Sequence, residues 1–236
     1  MKIRQARFED LDHYASLQAE RWSDDNQATR AELESRFATY PKGMLVAEEA
    51  GQVVGMVFAM RIAAYNYDQT PSWYEITNDG KCDTHDPNGP IIFGVDLSTS
   101  VGVGARAGDQ LLVAVARLAI RENIKWCMLG GRLPGYHNYQ SKMSAAEYLR
   151  ATDANGLPLD PQVRFYTSQA GLVAVKVLPD YFEDPDSCDY GVLLRWHNPL
   201  YGLPGRRFFA AIFPLLFRLE NTYLALSRRL KTRSAH

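Results

Sequence analysis

The spacing of apolar and polar positions changes several times along the chain, and each change marks an element. Lys2 to Arg7 alternates basic or polar residues with Ile3 and Ala6, which predicts a first strand. Over Phe8 to Trp22 the apolar positions Leu11, Tyr14, Ala15, Leu17 and Ala19 recur at helical spacing. Acids fall in the first turn there, where the positive end of a helix dipole favours them. Arg30 to Tyr40 predicts a second helix carrying Leu33 and Phe37 and stopped by Pro41. Gly43 to Glu48 and Gln52 to Ile62 are apolar runs joined by Glu49-Ala50-Gly51, the pattern of a hairpin.

From Ala64 to Pro90 this periodicity dissolves into Asn, Asp, Gly, Pro, Trp and Tyr. A loop of that length inside a domain is usually functional. Ile91 to Leu97 resumes as a buried strand, followed by Gly102, Gly104 and Gly108. A helix begins at about Arg106 and is clearest over Asp109 to Arg121, with Leu111, Leu112, Val115, Leu118 and Ala119 as its stripe. Lys125 to Leu129 reads as a strand, Ser144 to Ala151 and Gln162 to Gln169 as short helices, and Leu172 to Leu178 and Asp189 to Trp196 as the last strands. The order predicts a mixed α/β layer with one strand–helix–strand unit near its centre.

Composition narrows the class. Of 236 residues, 46% are hydrophobic and 22% charged, which excludes an intrinsically disordered chain. A net charge of -1 argues against a protein that coats nucleic acid. The average hides a split, because residues 200–236 carry seven basic side chains against Glu220, or +6, and leave -7 on the rest. A shift of that size places a boundary near Asn198-Pro199. The chain then divides into a catalytic-type unit over 1–199 and a basic helical extension over 200–236. Cys82, Cys127 and Cys188 form no CxxC pair, so neither a zinc ribbon nor a disulfide framework is indicated, and a reducing, cytoplasmic setting fits. Met1 to Arg7 has no apolar signal segment, and Phe208 to Phe217 is too short to span a bilayer. The five histidines lack metal-ligand spacing, so no metal is expected.

The stretch from Val95 to Leu112 carries the most chemistry. A strand runs into three glycines and then into a strong amphipathic helix, whose first N–H groups lack intrahelical acceptors and face whatever sits on the helix end. With the helix dipole this favours a phosphate. No Gly-Lys-Ser/Thr follows, and the spacing is not GxGxxG, so neither a P-loop nor a dinucleotide fingerprint is present.

In the order of its elements, and in this strand, glycine loop and Leu-Leu helix, the chain resembles the GNAT superfamily of acyl-CoA-dependent N-acyltransferases. Thr70 to Asn78, Thr84-His85-Asp86, Gly130 to His137, Val177 to Tyr181 and Tyr190 to Pro199 are similar to the branch fused to nitrilase-like hydrolases, and more loosely to N-acyl amino acid synthases. The resemblance spans residues 2–199. It implies an α/β fold with a GNAT-like mixed central sheet flanked by helices. It also implies transfer of an acyl group from a CoA or carrier-protein phosphopantetheine thioester to the amine of a small molecule. The family's pyrophosphate loop maps onto Leu97, Ser98, Val103, Gly104, Arg106, Ala107, Gly108 and Asp109, with Val103 at its basic position and Arg106 at a glycine position. That departure leaves room for a donor presented on a carrier protein. It also keeps open a non-catalytic module that binds an acyl thioester or a partner.

Aminolysis of a thioester needs a positioned donor, a deprotonated amine and a proton for the leaving thiolate. The resemblance offers Tyr166 as the group that protonates the thiolate, and an acid on or near the central strand as base. Asp96 stands in an otherwise apolar strand, where a carboxylate is costly unless paired or functional. Glu75 and His85 in the long loop are the other candidate bases, His being suited to proton transfer near neutral pH. Trp73 and Tyr74 would wall the acceptor pocket, and Arg132 would pair with an acidic acceptor or with Asp96. Cys127 reads as a core residue. In the tail, Phe209, Ile212, Phe213, Leu216, Leu219, Tyr223, Leu226 and Leu230 predict an amphipathic helix kinked at Pro214. Packing on its own domain or in a homodimer is the expectation, with docking of an acidic carrier protein second and a membrane surface disfavoured.

Overall fold

The computed structural model of the chain describes residues 1–20, 22, 26–168, 171–206, 208–213 and 215. Seven strands form one sheet: β1 (Lys2–Gln5), β2 (Met44–Glu49), β3 (Gln52–Ile62), β4 (Ile91–Thr99), β5 (Trp126–Arg132), β6 (Val173–Leu178) and β7 (Gly191–His197). Their order is β1-β2-β3-β4-β5-β7-β6, antiparallel at every junction except the parallel pair β4–β5. Parallel neighbours require a long crossover. Here it is α4 (Gly104–Arg121), which packs Ala107, Leu111, Val115 and Ala119 onto Val57, Ala59 and Ile92 of one sheet face. The other face is covered by α1 (Leu11–Ala19), α2 (Arg30–Thr39) and the short α3 (Trp73–Thr77), whose Tyr14, Leu17, Leu33 and Ile76 meet Met56, Phe58, Phe93 and Val95. Beyond β5, α5 (Ala145–Arg150) and α6 (Pro161–Ser168) build a third apolar cluster against Val192 and Leu194.

Three elements differ from the sequence expectation. The segment from Ala64 to Pro90 holds α3, started by a reciprocal cap: Ser72 Oγ accepts from Glu75 N–H, and the Glu75 carboxylate accepts from Ser72 N–H at 2.8 Å. The cap residues stand out only once the helix is known. Helix α4 starts at Gly104 rather than near Arg106, so Gly104 as well as Gly108 lies inside it and only Gly102, at φ +91°, belongs to the loop. Strand β5 runs on through Gly130 and Gly131 to Arg132, so Arg132 closes the strand instead of following it. Described tail residues 206, 208–213 and 215 are helical. Ala210 is buried there, its carbonyl accepts from Arg117 Nε at 3.0 Å, and the Phe213 ring meets Trp196. The predicted kink at Pro214 and residues 216–236 lie outside the described residues.

The centre of the sheet parts. β4 and β5 are paired only over Ile91–Gly94 and Trp126–Leu129. Past that point β4 continues on β3 alone and β5 on β7 alone. A bulge accompanies the parting: Phe58 opposes Asp96 and Ala59 opposes Gly94, which leaves Val95 unpaired. Across the gap, the Tyr181 ring lies flat on Gly130, where an added Cβ would come within 2.0 Å of its Cζ. Gly130→Ala should therefore displace a buried ring and lower stability by about 1–3 kcal/mol, read as a shift in the urea midpoint at unchanged slope.

Candidate active site

The parting of β4 from β5 opens two cavities that meet through the sheet. Trp22, Val95, Asp96, Gly130 and Arg132 border both. The first, about 970 Å³ counted with its mouth, lies on the α4 side and is walled by Leu97, Leu112, Val115, Cys127, Tyr166 and Leu172. The second, about 870 Å³, lies between α1, α2 and α3 and is bordered by Gln18, Glu32, Arg36, Trp73, Tyr74 and Phe182. One side of the sheet thus offers an apolar chamber and the other a chamber with charges and amides.

Asp96 stands at the junction. The bulge puts Val95 and the next residue on the same side of the strand, so Asp96 faces α1 rather than α4. Three side chains donate to its carboxylate: Tyr14 Oη at 2.8 Å, Ser98 Oγ at 2.9 Å, and Gln18 Nε2. Ser98 in turn accepts from Trp22 Nε1 at 3.2 Å. Burial, then the Asp96 charge, holds the Tyr14 phenol well above its ordinary pKa, so it stays a donor. The Val95 carbonyl freed by the bulge accepts from Trp73 Nε1 at 3.0 Å, which ties α3 to the cleft.

Tyr166 faces the apolar chamber from α6, and its ring lies 3.3 Å from where a Cβ on Gly131 would sit. Among the described residues its hydroxyl has no hydrogen-bond partner. Burial, reinforced by Asp96, pushes its pKa up to about 12, so it is protonated at neutral pH. Arg132 does not pair with Asp96. Its Nε donates to Asp184 Oδ2 at 2.7 Å, its Nη2 reaches the other oxygen of the same carboxylate, and its guanidinium lies 5.0 Å from the Trp22 ring centroid. That bidentate pair spends the Arg132 charge on fixing the 179–189 segment against the strand end.

The other candidates lie elsewhere. The structure does not bring Glu75 to the cleft: it is exposed and engaged in capping α3, whose Ser72 hydrogen bonds lower its pKa. His85 accepts from Arg61 N–H at 2.9 Å and stacks on Tyr40, at the opposite end of β4 from Asp96. Burial, then Arg61, lowers its pKa. Trp73 and Tyr74 do border the second cavity, packed on Phe182. Along the predicted phosphate loop, Leu97 lines the first cavity and Ser98 is buried in the Asp96 network. Val103 is the N-cap of α4 and Gly104 its first residue. Ala107 is buried in the core, and Gly108 leaves room for Phe165, 3.0 Å from where its Cβ would be. Asp109 follows within α4. Arg106 Nη2 is paired with Glu49 at 2.6 Å on the β2–β3 turn, so its charge is directed away from the loop. Cys127 is a core residue whose thiol burial pushes up to about 12. Among the described residues, no three His, Cys, Asp or Glu side chains group as metal ligands, and no helix is long and apolar enough to cross a membrane.

Sequence reasoning did not single out Tyr14, Gln18, Trp22 or Arg36. Two of them carried a signal. Gln18 falls four residues after Tyr14 and Arg36 three after Leu33, so each puts a polar head on the buried stripe of its helix.

Comparison with known proteins agrees with this geometry. The chain is 30% identical over 219 residues to the probable hydrolase YhcX of Bacillus subtilis (strain 168), covering 91% of this chain and 42% of that protein. It is 29% identical over 185 residues to the uncharacterized N-acetyltransferase YkwB of the same organism, covering 76% of each. The chain thus spans less than half the length of the first of these relatives. No family model matches it. In structure it resembles the loading GNATL domain of CurA from Lyngbya majuscula, with a TM-score of 0.73 at 23% identity over 84% of this chain and 97% of that one. It also resembles the GphF GNAT-like decarboxylase in complex with isobutyryl-CoA, with a TM-score of 0.70 at 28% identity over 84% of this chain and 100% of that one. A mixed seven-stranded sheet parted between its parallel central strands, with these likenesses, defines a GNAT fold, and the chain is similar in sequence and structure to proteins of the GNAT superfamily.

The Arg132–Asp184 pair makes a prediction about pH. Burial alone would raise the Asp184 carboxyl, but hydrogen bonds from Arg132 and Ser187 outweigh it and hold the group below its ordinary value. Its share of stability is therefore complete above the unfolded carboxylate value of ~3.9 and is lost as pH falls through the folded value. Asp184→Asn should lower stability by about 1.5–3 kcal/mol at pH 7. Urea titrations repeated at lower pH should show wild type and variant converging in acid.

Proposed function

We propose that this protein is an acyltransferase that moves an acyl group from a CoA or carrier-protein phosphopantetheine thioester to the amine of a small molecule. The observation that carries this reading is the pair of cavities meeting at Asp96. A thioester lying in the apolar chamber on the α4 side would present its carbonyl carbon to an amine held on the α1–α3 side. The amine nitrogen bonds to that carbon, the carbon–sulfur bond breaks, and the nitrogen gives up a proton. Asp96 is the proposed acceptor of that proton, directly or through water, since among the described residues its carboxylate meets neutral donors and no cation. Tyr166 is the proposed donor to the departing sulfur. A phenol with a pKa of about 12 is a weaker acid than a thiol at about 8.5, so it acts by hydrogen bonding to sulfur as the bond breaks, before a free thiolate exists. The first N–H groups of α4 are proposed to face the donor's phosphates. Glu75 and His85, which lie away from the cleft, are given no part in the proposed reaction, and Trp73, Tyr74 and Arg132 are assigned as walls of the acceptor side.

The isobutyryl-CoA bound by GphF supports an acyl thioester as donor. The Glu49 pairing of Arg106 supports a donor held by more than its phosphates, as a carrier protein would provide. The division at residue 199 into a transferase unit and an added helix belongs to the same proposal. A second reading, decarboxylation of an acyl thioester, rests on the likeness to the GphF decarboxylase, and carbon dioxide released from a carboxyacyl thioester without any amine would favour it.

Thiol release from acetyl-CoA, longer acyl-CoAs and acylated carrier protein, each with a mixture of amines, tests the transfer. Amine-dependent release with at least one donor is expected, and none above background with any donor overturns it. Tyr166→Phe should lower kcat by about 10²-fold with an unchanged melting profile. Asp96→Asn should lower kcat by about 10²-fold together with a lower melting temperature, since an amide nitrogen cannot accept from the donors around it. A Tyr166→Phe enzyme at full rate removes that residue from the mechanism.

A further inference from the structure

Arg36 is the one basic side chain among the buried polar residues described, with 2% of its surface exposed. It borders the α1–α3 cavity. Its Nε donates to the Gly80 carbonyl at 2.8 Å, and its guanidinium lies 6.0 Å from the Trp73 ring centroid. Its Nη1 is buried with no acceptor, and the described residues give it no ion pair. None of the carboxylates around the cavity is in ion-pair contact with Arg36. Glu32 Oε2 accepts from Thr29 N–H and Oγ1. Its Oε1 lies near Arg36 Nη2, the two being 3.2 and 2.9 Å from where a Cβ on Gly80 would sit, without forming an ion pair. Asp96 has its three donors, and Arg132 is matched by Asp184. Asp79 is exposed at the rim.

A guanidinium is always charged, and a buried one with an N–H left unpaired and no anion in contact is unfavourable. A water molecule can accept its N–H bonds but carries no compensating charge. We propose that the α1–α3 cavity is an acceptor subsite selective for an amine that also bears a carboxylate, with Arg36 as the cation that binds it. The proposal rests on the acyl-transfer reading. The acceptor, rather than the acyl group, is assigned the carboxylate because Arg36 lies on the polar side of the sheet. Arg36 and Asp96 both border this cavity. An amino group near Asp96 and a carboxylate at Arg36 would therefore belong to one molecule lying in it.

Paired acceptors that differ only in the carboxylate test this: phenylalanine against phenethylamine and alanine against ethylamine, compared at equal free-amine concentration. Wild type should favour the amino acid by at least about tenfold in kcat/KM, mostly through KM. Arg36→Gln should bring that ratio near one, and Arg36→Lys, which keeps a charge without the planar fork, should retain part of it. If Arg36→Gln does not fold, the wild-type ratio and the lysine variant decide. Equal kcat/KM for both members of each pair in wild type overturns the subsite and leaves acyl transfer standing. A carboxylate preference seen only on the acyl thioester also overturns it. Absence of thiol release with every acceptor overturns acyl transfer, and the subsite is then judged by thermal shift. Stabilisation of wild type by phenylalanine but not by phenethylamine, reduced in the lysine variant, supports it, and no shift with either overturns it.

Discussion

Two neighbouring parallel strands that stop sharing hydrogen bonds halfway along must satisfy their remaining backbone groups elsewhere, and much of this molecule follows from how that is done. β4 turns wholly to β3, β5 wholly to β7, and the gap between them becomes the cleft. An unpaired strand edge facing an apolar interior would be unfavourable. Here the bulge at Val95 bends β4 away, and Trp73 takes the carbonyl the bulge frees. On the opposite bank Tyr181 lies against Gly130, where no side chain could stand. The same bulge reverses the side to which Asp96 points, so a single extra residue in one strand both opens the cleft and supplies its carboxylate.

Charge is distributed around that opening with little slack. Asp96 is met by three neutral donors and Asp184 by a bidentate arginine. These are the compensations that let a carboxylate sit inside a protein. Arg106 spends its charge on Glu49. Arg36, the one cation among the buried polar residues described, keeps an N–H without an acceptor and makes no ion-pair contact. The apolar chamber on the α4 side has no such imbalance. The two sides of the sheet thus differ in polarity, which is what the proposed reaction asks of them, with an acyl chain on the apolar side and a small polar acceptor on the charged one.

The regular elements were legible because their patterns are local. The Leu-Leu stripe of α4, the β2–β3 hairpin and the last two strands follow from periodicity, and a resemblance to the GNAT superfamily was visible in the element order. Glycine was the least legible residue. Gly104 read as loop but lies in α4, and Gly130 and Gly131 fall past the predicted end of their strand but continue β5. At Gly108 and Gly130 a packing partner, Phe165 or Tyr181, uses the space a side chain would fill, and that partner is far away in sequence. Glu75 looked chemical because an acid in an aromatic loop is conspicuous, yet its spacing to Ser72 is that of a helix cap.

The sequence by itself determined the elements, their order and the presence of a carboxylate in an apolar strand, because hydrophobic period and the cost of burying charge act residue by residue. Only the tertiary structure decided which side of the sheet Asp96 faces, that Arg132 belongs to Asp184, that His85 lies at the far end of its strand, and that Arg36 is buried beside the cleft. Those outcomes depend on one unpaired residue shifting the strand alternation, and on contacts between positions such as 14 and 96 or 132 and 184, which no local pattern records.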